Sequence, residues 1–132
     1  MGITTDQTKR VSPYTDEELE YFRKIILGKR SSAMQELDIL QGMLKETIEN
    51  ESDESVYSLH MADAGTDVMD RERTYMLYYR TRKFINYLDA ALKRIDNKTY
   101  GVCKATGKKI SKGRLEAVPH TQLSIEAKLK HR

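Results

Sequence analysis

Two long stretches of this chain repeat their apolar residues at helical spacing, and a polar break lies between them. Leu19, Phe22, Ile26, Ala33, Leu37, Leu40, Leu44 and Ile48 recur mostly at three- and four-residue steps, the pattern of a helix with one buried stripe. Leu77, Thr81, Phe84, Leu88, Ala91 and Ile95 follow at strict four- and three-residue steps, the spacing of a coiled-coil seam. Two such stripes joined by a turn can bury each other, so the pattern predicts an antiparallel helical hairpin and a mainly α fold. The apolar stripes read as core packing rather than as a cofactor box.

Local signals set the boundaries. Residues 1 to 14 are small and polar, include Pro13 and show no periodicity, which predicts a mobile arm. Thr15-Asp16-Glu17-Glu18 is a capping box: the threonine hydroxyl can accept from the Glu18 amide while the Glu18 carboxylate returns to the cap amide. The three acids also suit the positive end of the helix dipole. Gly28 reads as a bend or a close helix contact. Asn50-Glu51-Ser52-Asp53-Glu54-Ser55 breaks the rhythm, Gly65 precedes Thr66 as a cap for a second helix, and the turn is expected near 50–66. The second ladder becomes polar at Asp70 and Thr74, and Asn97 and Gly101 are expected to end it. The hairpin therefore spans 15–98, and helices of about 30 to 35 residues make a rod of roughly 45 to 50 Å. Tyr75, Tyr78, Tyr79 and Tyr87 suit either ordinary packing or a protein interface.

A chain of 132 residues, 33% charged and 39% hydrophobic, has only a thin core to spend on one compact unit or two small ones. A single cysteine excludes an intramolecular disulfide framework. No apolar run approaches the roughly 20 residues of a membrane span, and no secretory segment follows Met1, so the cytoplasm is expected. Charge is uneven: residues 98 to 132 carry nine Lys or Arg against two acids, a balance of +7, which leaves fourteen against eighteen, −4, in residues 1 to 97. A basic tail of this kind suits nucleic acid or a solvated surface equally.

Residues 99–132 have the layout of a four-cysteine zinc finger that has lost three cysteines. The carriers are Gly101-Val102-Cys103-Lys104-Ala105-Thr106-Gly107, Arg114-Leu115-Glu116-Ala117-Val118-Pro119 and Leu123-Ser124-Ile125-Glu126-Ala127-Lys128. Structural zinc needs four sulfur or imidazole ligands in two close pairs. Here the pairs read Cys103 with Thr106 and Ser124 with Ala127, and neither can hold the metal; His120 follows Pro119 rather than occupying a ligand position. Zinc is therefore not expected. The head must then rest on Val102, Ile110, Leu115, Ala117, Leu123, Ile125 and Leu129, with Thr106 and Ser124 hydrogen bonding where thiolates would sit. A short β-hairpin and a helix from about Gln122 are predicted, and Cys103 reads as a small, partly buried residue rather than a reactive one.

The glycine before the first cysteine position, the Arg-Leu-Glu-Ala-x-Pro run and the lysine after the last ligand position resemble the C-terminal finger of the DksA/TraR family. The likeness is closest over Tyr100 to Lys128, and the hairpin extends it over most of the chain. The resemblance implies a coiled-coil hairpin with a treble-clef-like head. It also implies a bacterial transcription regulator of the stringent response that binds RNA polymerase and passes the hairpin tip into the secondary channel. By count from the cysteine position, Asp63 falls on the second aspartate of the family's D-x-x-D-x-A tip motif, while His60 and Gly65 depart from it; Asp67 is a second tip candidate. Both acids also suit plain capping of helix two. Arg80, Arg82 and Lys83 fall on the stretch that braces against the channel rim in the family, and suit a solvated face as well. Arg114 and Lys128 match contributors to ppGpp and polymerase contact, but Val118 and Tyr87 stand where the family has an arginine and a lysine, removing two cations that would neutralise its phosphates.

Other classes are weighed by what is missing. There is no Gly-rich phosphate loop, nucleophile elbow or H-E-x-x-H, and a two-helix rod offers no deep pocket, so an enzyme is not expected. A coiled-coil scaffold that dimerises through the same seams is the main rival; an intramolecular hairpin predicts a monomer. A direct DNA binder acting through the basic tail would weaken steeply with salt, whereas a polymerase-channel factor should show no sequence-specific DNA binding of its own.

Overall fold

The computed structural model describes residues 11–51 and 64–130, and side chains over 11–46 and 69–130. Four helices are assigned: α1 (Asp16–Glu51), α2 (Ala64–Asp96), α3 (Lys112–Ala117) and α4 (Ile125–Lys130). The chain divides into two compact units. The terminal unit combines Met1–Arg30 with Asn86–Arg132, and the central unit is Ser31–Ile85. Among the described residues no helix is long and apolar enough to cross a membrane.

Helix α1 starts where the capping box places it. The Glu18 amide donates to Thr15 Oγ1 at 3.2 Å and the Thr15 amide to Glu18 Oε1 at 3.0 Å, which satisfies two of the donors that a helix start leaves open. Its carboxyl is held below the usual range, mainly by that amide. Helix α2 begins earlier than expected: Ala64, Gly65 and Thr66 are all helical, so Thr66 is not the cap. One glycine costs a helix only about 1 kcal/mol, too little to delay the start. At the other end α2 stops at Asp96, and the left-handed residue that closes it is Lys98 (φ 60°) rather than Asn97, with Gly101 (φ 85°) three residues further on. The Thr99 amide donates to the Arg94 carbonyl (2.8 Å) and the Lys98 amide to the Ile95 carbonyl (3.1 Å), the two bonds of a Schellman closure. Lys98 is also tied down by Asp16 (3.0 Å) and by the Ser12 amide on its carbonyl (2.7 Å).

In the central unit, Ala33, Leu37 and Ile85 form the buried cluster, with Met34, Tyr78 and Phe84 packed against it. Leu40, Leu44 and Thr81 are buried too. The α2 seam therefore runs through Tyr78, Thr81 and Ile85, and Leu77 is displaced onto the surface, 39% exposed. Leu77 and Tyr78, like Phe84 and Ile85, are adjacent apolar choices for one position. Pairing with α1 selects Tyr78, whose hydroxyl accepts from Gln41 Nε2 at 3.3 Å. Gly28 meets nothing within 4 Å where a Cβ would stand, so it marks no close contact.

In the terminal unit Leu19, Phe22 and Ile26 of α1 and Leu88, Ala91 and Ile95 of α2 are buried. Arg23 pairs with Asp96 and, seven residues on, Arg30 pairs with Asp89 (2.6 Å) seven residues back. This is the register of antiparallel helices. Such half-exposed pairs contribute about 0–1 kcal/mol each, so burial supplies the stability and the pairs favour one register.

The head departs from expectation in several places. The β-hairpin reduces to one antiparallel bridge, Val102 with Lys109. A short helix, α3, follows it, capped by Ser111 Oγ accepting from the Arg114 amide, and the last helix starts at Ile125 rather than Gln122. Ala117, Ile125 and Leu129 are exposed instead of buried. The core is Tyr100, Cys103, Ile110, Leu115 and Pro119, all fully buried. Tyr14, counted from sequence as part of the arm, is buried with them: its hydroxyl donates to the Ile110 carbonyl, and its ring meets Phe22 edge-on at 5.2 Å. Phe22 also packs at 5.4 Å on Tyr100, whose hydroxyl donates to the Pro119 carbonyl at 2.7 Å. Aromatic mass from the helix start thus fills the head, a contact between residues far apart in sequence that periodicity cannot reveal.

Candidate functional site

Three of the four finger positions, Cys103, Thr106 and Ser124, come together around one sulfur, and Ala127 follows on Ser124. Cys103 Sγ is fully buried and accepts from the Ser124 amide at 3.4 Å. Ser124 Oγ in turn accepts from the Ala127 amide at 3.2 Å and Thr106 Oγ1 from the Lys108 amide at 3.3 Å. The turn itself closes by Gly107 N–H to the Cys103 carbonyl and Cys103 N–H to the Lys108 carbonyl, both 2.8 Å, with Gly107 in the left-handed region (φ 74°). Burial pushes the Cys103 thiol up, but hydrogen bonds from the Thr106 side chain, the Ser124 and Thr106 amides and the Ser124 side chain outweigh it and bring the thiol down to about 6. The sulfur thus sits among protein donors where a metal would otherwise compensate it. As a zinc site the set does not fit: it offers one thiolate, two hydroxyls and a methyl, and zinc takes thiolates and imidazoles. Among the described residues no group of three or more His, Cys, Asp or Glu converges that could hold a metal ion.

A second feature of the terminal unit is a cationic cluster. Arg114 on α3 and Lys128 on α4, named from sequence, share the electrostatic surroundings of His120 with Lys29 on α1 and Arg94 on α2. The His120 imidazole is held below its ordinary value, first by burial and then by these four positive charges. Its ring lies parallel to Tyr87 at 5.6 Å and 3°, and its carbonyl accepts from Arg94 at 3.1 Å. Burial likewise lowers Arg94. Arg114 Nε is buried without a hydrogen-bond partner among the described residues. Sequence reasoning missed Lys29 and Arg94. Neither lies in the finger-like segment, and only the tertiary fold brings two helix positions 65 residues apart to the same imidazole. Tyr87, which replaces an expected lysine, supplies the stacking face.

On α2 the stretch Arg71 to Lys83 holds five cations and one acid. Arg80, Arg82 and Lys83 are exposed there, and the Arg82 guanidinium lies over the Tyr78 ring at 5.8 Å. Asp63 lies outside the described residues, and so does the side chain of Asp67, although its backbone is helical.

Long helices that pair antiparallel and a small head built on a degenerate finger quartet define a class by fold, a helical hairpin with a finger-like head. The family pattern described as prokaryotic dksA/traR C4-type zinc finger matches residues 98–132. The RNA polymerase-binding transcription factor DksA of Caulobacter vibrioides is 33% identical over 116 residues, 88% of this chain and 77% of that protein. DksA of Escherichia coli is 26% identical over 128 residues, 96% and 80% of the two chains. Among solved structures, the transcription factor DksA2 from Pseudomonas aeruginosa superposes with a TM-score of 0.75 at 30% identity, over 87% of this chain and 83% of that one. The chain belongs to the DksA/TraR family.

Proposed function

We propose that this chain is a transcription regulator that binds RNA polymerase, passes the turn between α1 and α2 into the secondary channel, and modulates initiation there. One observation carries the reading: a relative named for polymerase binding is similar over most of both chains, helices included. In this reading Asp63, with Asp67, supplies tip carboxylates that act electrostatically on the nucleotide path or on basic polymerase elements, without chemistry of their own. Arg80, Arg82 and Lys83 brace against the channel rim. Arg114 and Lys128 face the polymerase from the head, and Lys29 and Arg94 add to their positive field. That field stands in part for the cations missing at Tyr87 and Val118 and leaves room for a ppGpp response. The protein acts as a cytoplasmic monomer, without zinc.

The test is a pull-down with bacterial core RNA polymerase, repeated with the turn deleted, alongside in vitro transcription. Asp63→Asn should keep binding and abolish regulation. Regulation by Asp63→Asn equal to that of the parent would refute the tip assignment, and a parent that fails to bind polymerase would refute the function. A dimer in sedimentation would favour the scaffold reading instead.

A further inference from the structure

We infer that the central unit carries a self-complementary flank through which two copies of this chain pair face to face. The inference goes beyond the polymerase reading and does not need it. Glu36, Ile39, Met43 and Glu46 run along α1 at steps of three and four, beside the buried Leu37, Leu40 and Leu44 and on the side away from Gln41. Arg73, Leu77, Arg80 and Phe84 run along α2 at steps of four and three, beside the buried Thr81 and Ile85 and away from Arg82. Gln41 meets Tyr78, and the same antiparallel register sets Met43 within one residue of the level of Leu77 and Glu46 level with Arg73. Both stripes therefore open on one flank of the helix pair. Ile39 and Met43 are 64% and 48% exposed there, while Phe84 leans on the core cluster behind them. The four charges are exposed, and among the described residues none of them enters an ion pair.

The order of these side chains names the occupant. On the α1 edge two apolar residues stand between two acids, and on the α2 edge two arginines alternate with two apolar residues. Each edge is thus the complement of the other and not of itself. A two-fold axis parallel to the helices lays the α1 edge of one copy on the α2 edge of its partner and keeps the levels. Glu46 then faces the partner's Arg73, Met43 faces the partner's Leu77, and Glu36 comes within a turn of the partner's Arg80, each contact made twice. A two-fold axis across the helices would instead stack acid on acid and arginine on arginine. A wholly acidic or wholly basic partner surface would likewise leave one edge facing its own charge. In the pair, Ile39, Met43, Leu77 and Phe84 form the middle layer of a four-helix arrangement, which covers apolar area that two helices alone leave in water. The flank measures about 20 Å by 20 Å, at the low end of specific interfaces, so the association is reversible and micromolar rather than permanent. Pairing covers Arg80, so the single chain is the form left to act on polymerase, a consequence that rests on the reading above.

The test is sedimentation equilibrium of the full chain from about 1 μM to a few hundred μM, where the parent should dimerise reversibly. Glu46→Arg and Arg73→Glu each set like charges together twice in a self-pair, so each variant alone should dimerise at least about tenfold more weakly. Mixed in equal amounts, the two variants restore opposite charges at both contacts, and the mixture should dimerise as the parent does. Met76→Ser, on the outer side of α2 and 68% exposed, should change nothing. Far-UV circular dichroism and thermal melts check that all the chains fold alike. A parent that stays monomeric over the whole range, a charge variant that dimerises like the parent, or a mixture that fails to recover would overturn the assignment. An equal loss in Met76→Ser would overturn it too. A dimer indifferent to all three substitutions would overturn it in favour of seams exchanged between chains. Polymerase enters none of these readouts, so a failure of the polymerase reading leaves the pairing standing.

Discussion

Replacing Phe22 with alanine should unfold the head at temperatures where the parent is intact, because that ring fills the space between Tyr14 and Tyr100. Phe22 is fully buried and touches Tyr14, Tyr21 and Tyr100, with centroids 5.2 to 5.4 Å away. Truncating a buried phenylalanine costs about 3–5 kcal/mol, and each aromatic pair adds about 0.5–1.5 kcal/mol beyond area. Two of the partners, Tyr14 and Tyr100, are themselves buried and pinned by their hydroxyls to Ile110 and Pro119. They cannot swing into the void, so the cost falls in the upper half of the range, about 4–5 kcal/mol. For a unit of this size that lowers the melting temperature by roughly 20–30 °C. Urea titration followed by tyrosine near-UV circular dichroism reads the change as a lower midpoint at constant slope. The parent should melt at the same temperature with and without a strong zinc chelator. A loss below about 1 kcal/mol, or a parent that collapses on chelation, would refute the claim that aromatic packing holds the head.

Three smaller perturbations test other parts of the structure. Gly101 has φ +85°, and a Cβ there would stand 2.7 Å from the Tyr14 ring, so Gly101→Ala should cost more than about 2 kcal/mol from left-handed strain and crowding together, read in the same titration. Thr15→Ala removes the hydroxyl that accepts from the Glu18 amide and should cost about 1 kcal/mol, visible as a small shift in thermal midpoint. Cys103 has its thiol lowered from 9.0 to about 6 in the folded protein; the unfolded chain therefore binds the extra proton between those values, and stability should rise with pH through that window. The contribution is fully present above the unfolded value and lost as pH falls through the folded one. Cys103→Ala should flatten the profile, and parallel profiles for parent and variant would refute the assignment.

How much of this was legible from residues alone depends on whether the deciding interaction is local. The start of α1 was legible because a capping box closes within four residues, and so was the stripe Leu19, Phe22, Ile26, Ala33, Leu37, Leu40 and Leu44, every member of which is buried. The convergence of Cys103, Thr106 and Ser124 was legible from the finger's spacing. The α2 seam was not fully so. Leu77 and Tyr78 both satisfy the repeat, and only the partner helix, through Gln41, decides between them. The anchoring of Tyr14 on Ile110 spans most of the chain and leaves no trace in any window. Ile125 and Leu129 misled in the opposite sense: they are apolar at helical spacing, but α4 is too short to cover both of its faces, and they stay 52% and 58% exposed.

The survival of a single cysteine is explained by the donors that surround it. The Ser124 amide points at the buried sulfur and needs an acceptor, and leaving such a group unmatched costs about 1–3 kcal/mol. Alanine at position 103 would strand the Ser124 amide, which donates to the sulfur at 3.4 Å. Serine would offer an oxygen, but at the shorter reach of a C–O bond it would leave the Ser124 amide, now 3.4 Å from the sulfur, outside hydrogen-bonding range. Sulfur is large and polarizable enough to be shared among several donors, and it joins the turn after Gly101 to the segment that leads into α4. The other three ligand positions carry no such burden, since Thr106 and Ser124 accept from the nearby Lys108 and Ala127 amides and Ala127 only fills space. The one thiol among these four positions accepts hydrogen bonds in a head whose bulk comes from Tyr14, Phe22 and Tyr100.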